Sequence, residues 1–265
     1  MGKQGKDARA AAQAELEAQR AAQRSAERKR SSFFIGGTVA LLVVLIALVA
    51  LAVVNQNKKQ SDVGALPRGA NPTTFGVEIG SGAVNGGGNW ATPVTASNKK
   101  IPVVDLYEDF QCPACKQFED LTATAFDKLI FQGKVKAIYH PLSFLDKNFN
   151  TDSSLRAASA SGCAADEGKF LAFHNEVYKN QPAREGTGYT DQELLQFGAN
   201  IGLTGSGFTK CVTSQKYTKW ATNGVQAEGD DRGITSTPTV LLNGKELKRP
   251  YTVASLTAAI TAAGK

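Results

Sequence analysis

The pattern of apolar and polar positions divides the chain into four parts. Residues 1–32 are rich in Ala, Gln, Glu and Arg and contain almost no large apolar residue, which is typical of a solvated helix or a disordered segment. Residues 33–54 carry no charged side chain, and a run of that length can cross a lipid bilayer as one helix. Residues 55–74 are polar with scattered Gly and Pro, as in a linker, and residues 75–265 have the periodic patterns of a folded domain.

The charges around the apolar segment predict its orientation. A basic cluster at residues 28–30 precedes the segment directly and fewer basic residues follow it, so the positive-inside rule places residues 1–32 in the cytoplasm and the domain outside. A cleaved signal peptide is the alternative, because residues 50–52 have the small-x-small form of a cleavage site. We favour a retained single-pass anchor in the cell membrane, because the apolar run is longer than the roughly 7 to 15 residues usual in such peptides.

Within the domain, the first half predicts a parallel strand–helix–strand unit. Residues 75–79 form a short apolar run, and residues 101–110 read as a strand that is covered on both faces. Helical periodicity begins at residue 112 and ends near Gly133, and residues 135–142 read as the next strand. This order of elements implies parallel pairing of the two strands through a right-handed crossover.

The second half predicts a helical insertion followed by a return to the sheet. Helical patterns fill residues 150–230, including one helix whose start at Thr190 and Glu193 has the form of a capping box. Residues 239–242 resume the sheet and turn back in a hairpin, and residues 253–263 predict a terminal helix. The fold class is therefore α/β with a helical insertion, preceded by one transmembrane helix.

The net charge of +6 changes this picture little, because most of the excess lies in the tail. After residue 55 the chain carries 22 Lys and Arg against 20 Asp and Glu, which gives little support for nucleic-acid binding. The cysteines say more, because their positions indicate the redox compartment of the domain. All four of them follow the apolar segment, and an even number confined to that side indicates an oxidising compartment.

Two of these cysteines form the sequence Cys112-Pro113-Ala114-Cys115, which lies between a predicted strand and a predicted helix. The first sulfur is placed where unpaired backbone N–H groups and the positive end of the helix stabilise a thiolate. The second falls on the buried face of that helix. The pattern therefore predicts a redox pair with Cys112 as the exposed, attacking sulfur and Cys115 as the resolving one.

A zinc site is the main alternative for a Cys-x-x-Cys pair. The chain has no second pair of this kind, and its two histidines, His140 and His174, do not have the spacing of zinc ligands. We therefore predict no metal and no cofactor.

A proline directly before a strand, at Thr237-Pro238, completes a recognisable combination of motifs. The Cys-Pro-x-Cys pair after a strand, the helical insertion and the Gly-Ile-x-x-Thr-Pro-Thr-Val-x-x-Asn-Gly segment at residues 233–244 together resemble the thioredoxin superfamily. The resemblance extends over residues 72–263. Within the superfamily, it is to the DsbA-like thiol-disulfide oxidoreductases anchored in actinobacterial membranes. It implies that the Thr237–Pro238 bond is cis and lies against the thiol pair, where it shapes the surface that binds substrate.

Two positions depart from the pattern of that family. Many relatives carry a buried acid six positions before the first cysteine, where this chain has Leu106. Asp105, Glu108 and Asp109 are nearby candidates for proton handling, although we favour a solvated or hydrogen-bonded carboxylate for each. Ala114 offers no imidazolium to stabilise a thiolate, so the sequence leaves the oxidising strength of the pair open.

The other two cysteines, Cys163 and Cys211, both fall in the helical insertion. A structural disulfide between them is the favoured interpretation for an exported domain with an even number of cysteines. Electron relay between this pair and the Cys112–Cys115 pair is the alternative.

These observations predict an enzyme that introduces disulfides into reduced exported proteins through Cys112 and Cys115. The resemblance implies re-oxidation by a quinone-linked membrane partner of the DsbB or vitamin-K-epoxide-reductase type. Two alternatives stay open at this stage. The same pair could reduce or isomerise disulfides of exported proteins, or the domain could be a non-catalytic binding module with structural disulfides only.

Overall fold

The structure is a computed structural model that describes residue 42 and residues 44–51, 62–80 and 101–264. The chain divides into two compact units, Met1–Lys58 and Lys59–Lys265. In the first unit the described residues are helical. None of the helices in the described residues combines the length and the apolar character that crossing a membrane requires.

Several predictions about the N-terminal part concern residues outside those described. The predicted tail at residues 1–32 lies wholly outside them, as do most of the predicted membrane segment at 33–54 and the first part of the predicted linker. The rest of that linker, from residue 62, lies on the domain. There, Val63 is buried and the backbone N–H of Arg68 donates to the carboxylate of Asp166.

The described part of the domain contains one mixed sheet of five strands in the order β1-β3-β2-β4-β5. The strands are β1 Val77–Ile79, β2 Val103–Asp109, β3 Lys136–Leu142, β4 Thr239–Leu242 and β5 Lys245–Glu246. Strands β2 and β3 pair in parallel, which confirms the predicted parallel pairing, and the other neighbours are antiparallel. The central strand β2 is buried along almost its whole length, because helices cover both faces of the sheet.

Helices account for most of the remaining described residues. They are α1 Pro113–Phe131, α2 Asp146–Phe149, α3 Ser153–Asp166, α4 Phe170–Lys179, α5 Asp191–Asn200, α6 Ser206–Thr213, the π-helix Trp220–Gln226, α7 Ala227–Asp231 and α8 Val253–Ala263. All those from α2 to α7 lie between β3 and β4, where the insertion was predicted. The predicted capping box is confirmed, because the Thr190 hydroxyl accepts from the Glu193 N–H and the Glu193 carboxylate accepts from the Thr190 N–H.

Two elements differ from their predictions. The short strand predicted from residue 75 begins at Val77, because Phe75 adopts a positive φ of 58° and leaves the extended conformation. A π-helix occupies much of the single helix expected over residues 216–230, where the Trp220 ring nitrogen donates to the Phe75 carbonyl.

The register of β4 brings the two predicted halves of the site together. Strand β4 runs antiparallel to β2 with Thr239 opposite Tyr107. The loop that precedes β4, which carries Thr237 and Pro238, therefore lies beside the end of β2 from which the chain enters α1.

A disulfide joins Cys163 in α3 to Cys211 in α6, with an S–S distance of 2.10 Å. This is the pairing that the favoured interpretation expected. The bond connects two helices of the insertion and closes a loop across a sequence separation of 48 residues. Closing a loop of this length stabilises the folded state by about 4 kcal/mol in the chain-entropy model.

Removing this disulfide with Cys163→Ser and Cys211→Ser is expected to lower the free energy of unfolding by up to about 4 kcal/mol, because the unfolded chain regains the lost conformational freedom. Urea unfolding of the double variant against the parent protein measures the change. The chemistry at Cys112 and Cys115 should be unaffected. A double variant as stable as the parent protein would show that the disulfide does not stabilise the fold.

Candidate active site

The thiol pair lies at the start of α1. Cys112 is the N-cap residue with extended backbone angles, and Pro113 occupies the first helical turn, where its missing N–H costs no hydrogen bond. The Cys112 carbonyl accepts from the N–H of Lys116 at 3.1 Å, which closes that turn. Both cysteines are free thiols in the structure. Cys112 is 8% exposed and Cys115 is fully buried, so the predicted division into an outer and an inner sulfur is observed.

The Thr237–Pro238 bond is cis, and both residues are buried against the thiol pair. The sulfur of Cys112 lies 3.7 Å from the carbonyl oxygen of Thr237. Pro113 and Ala114, between the two thiols, are exposed. Sequence reasoning therefore identified residues from two distant segments that the structure places together.

The surroundings give the two sulfurs opposite protonation behaviour. A hydrogen bond from the Cys115 thiol lowers the pKa of Cys112 to about 6, with Thr237 and the backbone N–H groups of Ala114 and Cys115 contributing against the cost of burial. Burial raises the pKa of Cys115 well above that of a free thiol, and its hydrogen bond to Cys112 raises it further. At neutral pH the outer sulfur is a thiolate and the inner one a neutral thiol.

Arg249 stabilises the loop that carries the cis proline through two hydrogen bonds. Its guanidinium donates to the carbonyl of Pro238 at 2.6 Å and to the Ser236 hydroxyl at 3.3 Å. The next aromatic residue, Tyr251, packs edge-on against Phe118 of α1 at 5.6 Å between ring centroids. The segment after β5 thus connects the proline loop to the helix that bears the thiols. No local sequence signal indicated this role for Arg249.

The helical insertion holds the other side of the site. The side-chain amide of Gln181, just after α4, donates to the carbonyls of Phe110 at 2.7 Å and Cys112 at 3.0 Å. The hydroxyl of Tyr189 donates to the same Phe110 carbonyl at 2.8 Å. The insertion therefore fixes the backbone from which the reactive sulfur projects.

Two of the three carboxylates considered for proton handling have structural partners. Asp109 is fully buried and accepts hydrogen bonds from the Ser154 hydroxyl at 2.5 Å and from the N–H groups of Gln111 and Leu145. Burial nevertheless raises the pKa of Asp109 to about 7. Asp105 lies 3.1 Å from His140 on the opposite face of the sheet from Glu108. Both fit the hydrogen-bonded interpretation favoured for them.

The third carboxylate, Glu108, is different. It is buried behind the thiol pair with Glu119 of α1 and His174 of α4, and one ligand-type atom from each of the three lies within 4.8 Å of the others. Sequence reasoning missed Glu119, although its position four residues after the buried Cys115 puts it on the same face of α1. Among the described residues, these three side chains also form a cluster of the kind that could bind a metal ion.

Comparison with known proteins gives a consistent result. A family model described as Thioredoxin matches residues 91–262. The oxidised form of DsbA from Mycobacterium tuberculosis is similar at 32% identity and a TM-score of 0.59, over 72% of this chain and 93% of that one. The disulfide oxidoreductase DsbG of the same organism is 29% identical with a TM-score of 0.59, over 77% and 91% of the two chains. The thiol-disulfide oxidoreductase MdbA from Actinomyces oris is 27% identical with a TM-score of 0.51, over 61% and 80%.

A curated relative gives a more limited match. The Na(+)/H(+) antiporter NhaA 3 of Salinispora tropica is 25% identical over 163 residues, which are 62% of this chain and 23% of that protein. The chain thus spans about a quarter of the length of the relative that it matches.

Proposed function

The chain belongs to the thioredoxin family as a DsbA-like thiol-disulfide oxidoreductase, and from that premise we propose that it oxidises dithiols of exported proteins to disulfides. The observation that carries the proposed direction is the lowered pKa of Cys112, about 6, beside a buried neutral Cys115. A stabilised thiolate favours the reduced form of the enzyme. The oxidised pair therefore tends to pass its disulfide to a substrate.

The geometry assigns a role to each sulfur. A substrate thiolate attacks the sulfur of Cys112, which is the partly exposed one, and the Cys112–Cys115 bond breaks with its electron pair on Cys115. A second substrate thiolate then attacks the substrate sulfur of this mixed disulfide. The substrate disulfide forms, and Cys112 leaves as a thiolate. Two electrons have moved from the substrate dithiol to the enzyme.

The loop at Thr237 supplies the surface on which this exchange takes place. Its carbonyl faces the sulfur of Cys112, and Arg249 and Gln181 hold the backbone on either side. An extended substrate segment lying along the loop would bring its own cysteine to Cys112. We infer that Thr237 and Pro238 bind the substrate and that Arg249 and Gln181 position the groups that do so.

Location and re-oxidation form a second part of the proposal. The predicted membrane segment at residues 33–54, the basic cluster before it and the cysteines confined to the domain support a membrane-anchored enzyme that acts outside the cytoplasm. Such an enzyme needs an electron acceptor, and a quinone-linked membrane protein of the DsbB or vitamin-K-epoxide-reductase type fits that need. After treatment of intact cells with a reductant that cannot cross membranes, labelling of Cys112 by a thiol reagent that also cannot cross them tests the location, and labelling that appears only after lysis would contradict it.

The reduction potential of the Cys112–Cys115 pair tests the direction of transfer. We expect a value nearer to about −120 mV, as for a strong oxidase, than to about −270 mV, as for thioredoxin, because the Cys112 thiolate is stabilised. Equilibration with glutathione redox buffers, followed by trapping of free thiols, measures it. A potential near the lower value would contradict the oxidase proposal and favour a reductase.

A reductase or isomerase remains the second candidate for one structural reason. The residues between the cysteines, Pro113 and Ala114, provide backbone N–H groups but no cationic side chain to stabilise the thiolate. In that case the protein would reactivate ribonuclease with scrambled disulfides faster than it oxidises reduced ribonuclease. The opposite order of rates supports the oxidase.

A further inference from the structure

Helix α1 begins without the side-chain cap that many helices have. Cys112 is its N-cap residue, and within the described residues its side chain makes no capping hydrogen bond. The usual cap is an oxygen of Ser, Thr, Asp or Asn that accepts from an N–H group of the first turn. In α1 these N–H groups serve the thiolate instead. Together with the stronger hydrogen bond from the Cys115 thiol, the N–H groups of Cys115 and Ala114 lower the pKa of Cys112. Other groups therefore have to hold the start of the helix in place.

Residues 109–112 form the turn that leads into α1, and we call them the active-site turn. The N–H of Cys112 donates to the carbonyl of Asp109 at 2.9 Å, and the N–H of Gln111 donates to the Asp109 carboxylate at 3.0 Å. Gln111, directly before the reactive cysteine, is only 4% exposed. Its side chain is therefore held inside the domain, although the next residue carries the sulfur that meets the substrate.

The side chain of Gln111 connects the active-site turn to three other segments. Its amide nitrogen donates to the Asp146 carboxylate of α2 at 2.9 Å and to the Ser154 hydroxyl of α3 at 2.8 Å. Its amide oxygen accepts from the N–H of Gly186 at 3.2 Å, in the loop between α4 and α5. Both N–H groups and the oxygen of the amide are thus used. Among uncharged side chains of this length, glutamine alone has two donors and an acceptor on one group.

The partners of Gln111 in α2 and α3 are fixed by further hydrogen bonds. Asp146 accepts from the N–H groups of Ser154 and Leu155 at 2.9 Å each, so its carboxylate holds the first turn of α3. The Ser154 hydroxyl donates to Asp109 at 2.5 Å. The hydrogen bonds therefore form a closed ring that starts and ends in the active-site turn and includes the Gln111 side chain.

The partner of Gln111 in the α4–α5 loop is fixed by close packing. Gly186 has a φ of 77°, and a Cβ at this position would lie 2.7 Å from the ring of Phe149. A Cβ at Gly188, which also has a φ of 77°, would overlap the hydroxyl of Ser153. Only glycine allows the loop to approach α2 and α3 this closely. The N–H of Gly186 is therefore presented to Gln111 from a defined position.

We propose that Gln111 is a positioning residue for thiol-disulfide exchange, because its side chain takes the place of the missing N-cap and fixes the direction in which the Cys112 sulfur projects. The inference rests on the proposed function and adds a residue to it. Exchange requires the attacking sulfur, the Cys112 sulfur and the Cys115 sulfur to be aligned. A displacement of about 1 Å at a reacting atom can reduce a rate about 100-fold. A turn held by one buried amide is a means to prevent such a displacement.

Two substitutions at Gln111 test this role. Gln111→Leu has a similar size and removes all three side-chain hydrogen bonds. Gln111→Glu keeps the shape and the acceptor for the Gly186 N–H, but the introduced carboxyl can donate a hydrogen bond only when it is protonated. Burial near the carboxyls of Asp109 and Asp146 favours the protonated form, so the introduced carboxyl should ionise only as the pH rises.

Gln226, at the end of the π-helix, offers a matched control. It is 9% exposed. Its amide nitrogen donates to Asp230 and its amide oxygen accepts from the N–H of Ser143, both at 2.9 Å. As at Gln111, a buried amide thus contacts an aspartate and a backbone N–H, but these partners lie outside the active-site turn. Gln226→Leu and Gln226→Glu therefore remove comparable hydrogen bonds from the same domain.

The first measurement is single-turnover oxidation of a reduced dithiol peptide by each oxidised protein from pH 5 to pH 8, as a ratio to the parent rate at the same pH. We expect Gln111→Leu to react about 100-fold more slowly than the parent protein throughout this range. Gln111→Glu should react close to the parent rate at pH 5 and about as slowly as Gln111→Leu at pH 8. Both Gln226 variants should keep the parent rate.

The second measurement is the pH profile of Cys112 alkylation by iodoacetamide in the reduced proteins, which does not depend on the direction of catalysis. We expect Gln111→Leu to move the midpoint to higher pH by about one unit, because the N–H groups of α1 no longer face the thiolate and a hydrogen bond to a charged group contributes at least that much. Gln226→Leu should leave the midpoint unchanged.

The outcomes that contradict the proposal are distinct from a failure of the proposed function. A folded Gln111→Leu protein with the parent rate and the parent midpoint would overturn the proposal, as would equal losses in the Gln226 variants, which indicate a general loss of stability. If Gln111→Leu does not fold, a Gln111→Glu ratio that is the same at pH 5 and pH 8 overturns it. A parent protein that fails to oxidise the peptide contradicts the proposed function, and the alkylation midpoints then test Gln111 by themselves.

Discussion

Replacing Cys112 with serine is expected to abolish dithiol oxidation and to leave the fold intact. The sulfur of Cys112 is the atom that a substrate thiolate can reach, since Cys115 is fully buried. Without it neither the enzyme disulfide nor the mixed disulfide can form. The rate of refolding of reduced ribonuclease should fall about a thousandfold or more, to the rate without enzyme, as when other essential nucleophiles are removed.

Two controls make this expectation specific. The Cys163→Ser and Cys211→Ser double variant lacks the structural disulfide but keeps the site, so it should oxidise at the parent rate wherever it is folded. Cys115→Ser keeps the attacking sulfur but has no resolving one, and intact mass after treatment with glutathione disulfide should show one glutathione held on Cys112. A Cys112→Ser protein that still oxidises ribonuclease at a rate comparable to the parent would place the chemistry elsewhere.

The residues of the thiol pair could be predicted because their signals are local. A Cys-x-x-Cys sequence at the junction of a strand and a helix defines both the helix start and the buried face, and the structure places Cys112 and Cys115 accordingly. The contribution of Thr237 and Pro238 could be predicted only through resemblance to a family. The register of β4 against β2, which brings that loop to the thiols, arises from pairing between segments more than a hundred residues apart.

The supporting residues could not be predicted for the same physical reason. Gln181 contacts a carbonyl 69 residues earlier in the chain, and Arg249 contacts a carbonyl beyond a hairpin. Neither residue type signals such a contact by itself. Glu108 and Glu119 are a different case, because periodicity places both on buried faces but a carboxylate ordinarily argues against burial. In this fold the two acids are buried together with His174, with one polar atom of each within 4.8 Å of the others, and single-residue propensities do not describe such groups.

The N-terminal predictions rest on a separate kind of signal. The absence of charge over residues 33–54 and the basic cluster before it are properties of composition. They predict insertion in a bilayer without reference to the packing of the domain. These signals therefore carry no information about the fold or the chemistry of the domain.

The second large effect is expected in the rate at which Cys112 is alkylated, because the pKa of its thiol is lowered. With a pKa of about 6, half of the Cys112 sulfur is thiolate at pH 6, whereas an ordinary thiol with a pKa of about 8.5 is ionised about a hundredfold less. The more acidic thiolate is also intrinsically less nucleophilic, by roughly tenfold for this difference in pKa. Ionisation is the larger of the two effects, so Cys112 of the reduced protein should react with iodoacetamide at pH 6 about tenfold faster than free cysteine.

The pH profile of this alkylation measures the pKa of Cys112. Because the folded-state pKa is lowered, the rate should rise with a midpoint near pH 6 and be level from about pH 7 upward. The two cysteines of the structural disulfide do not react with the reagent, and buried Cys115 reacts slowly, so the fast phase reports Cys112. The largest contribution to the lowered pKa is the hydrogen bond from the Cys115 thiol.

Cys115→Ala removes that donor and should move the midpoint of Cys112 alkylation to higher pH, whereas Cys115→Ser, which keeps a hydroxyl donor, should move it less. If the midpoint of the parent protein lies near pH 8.5, the thiolate is not stabilised and the argument for an oxidase loses its physical basis. If the midpoint lies near pH 6 in both the parent protein and Cys115→Ala, the backbone N–H groups of α1 and Thr237 carry the stabilisation instead. The oxidising strength would then depend on the start of the helix and the proline loop rather than on the second cysteine.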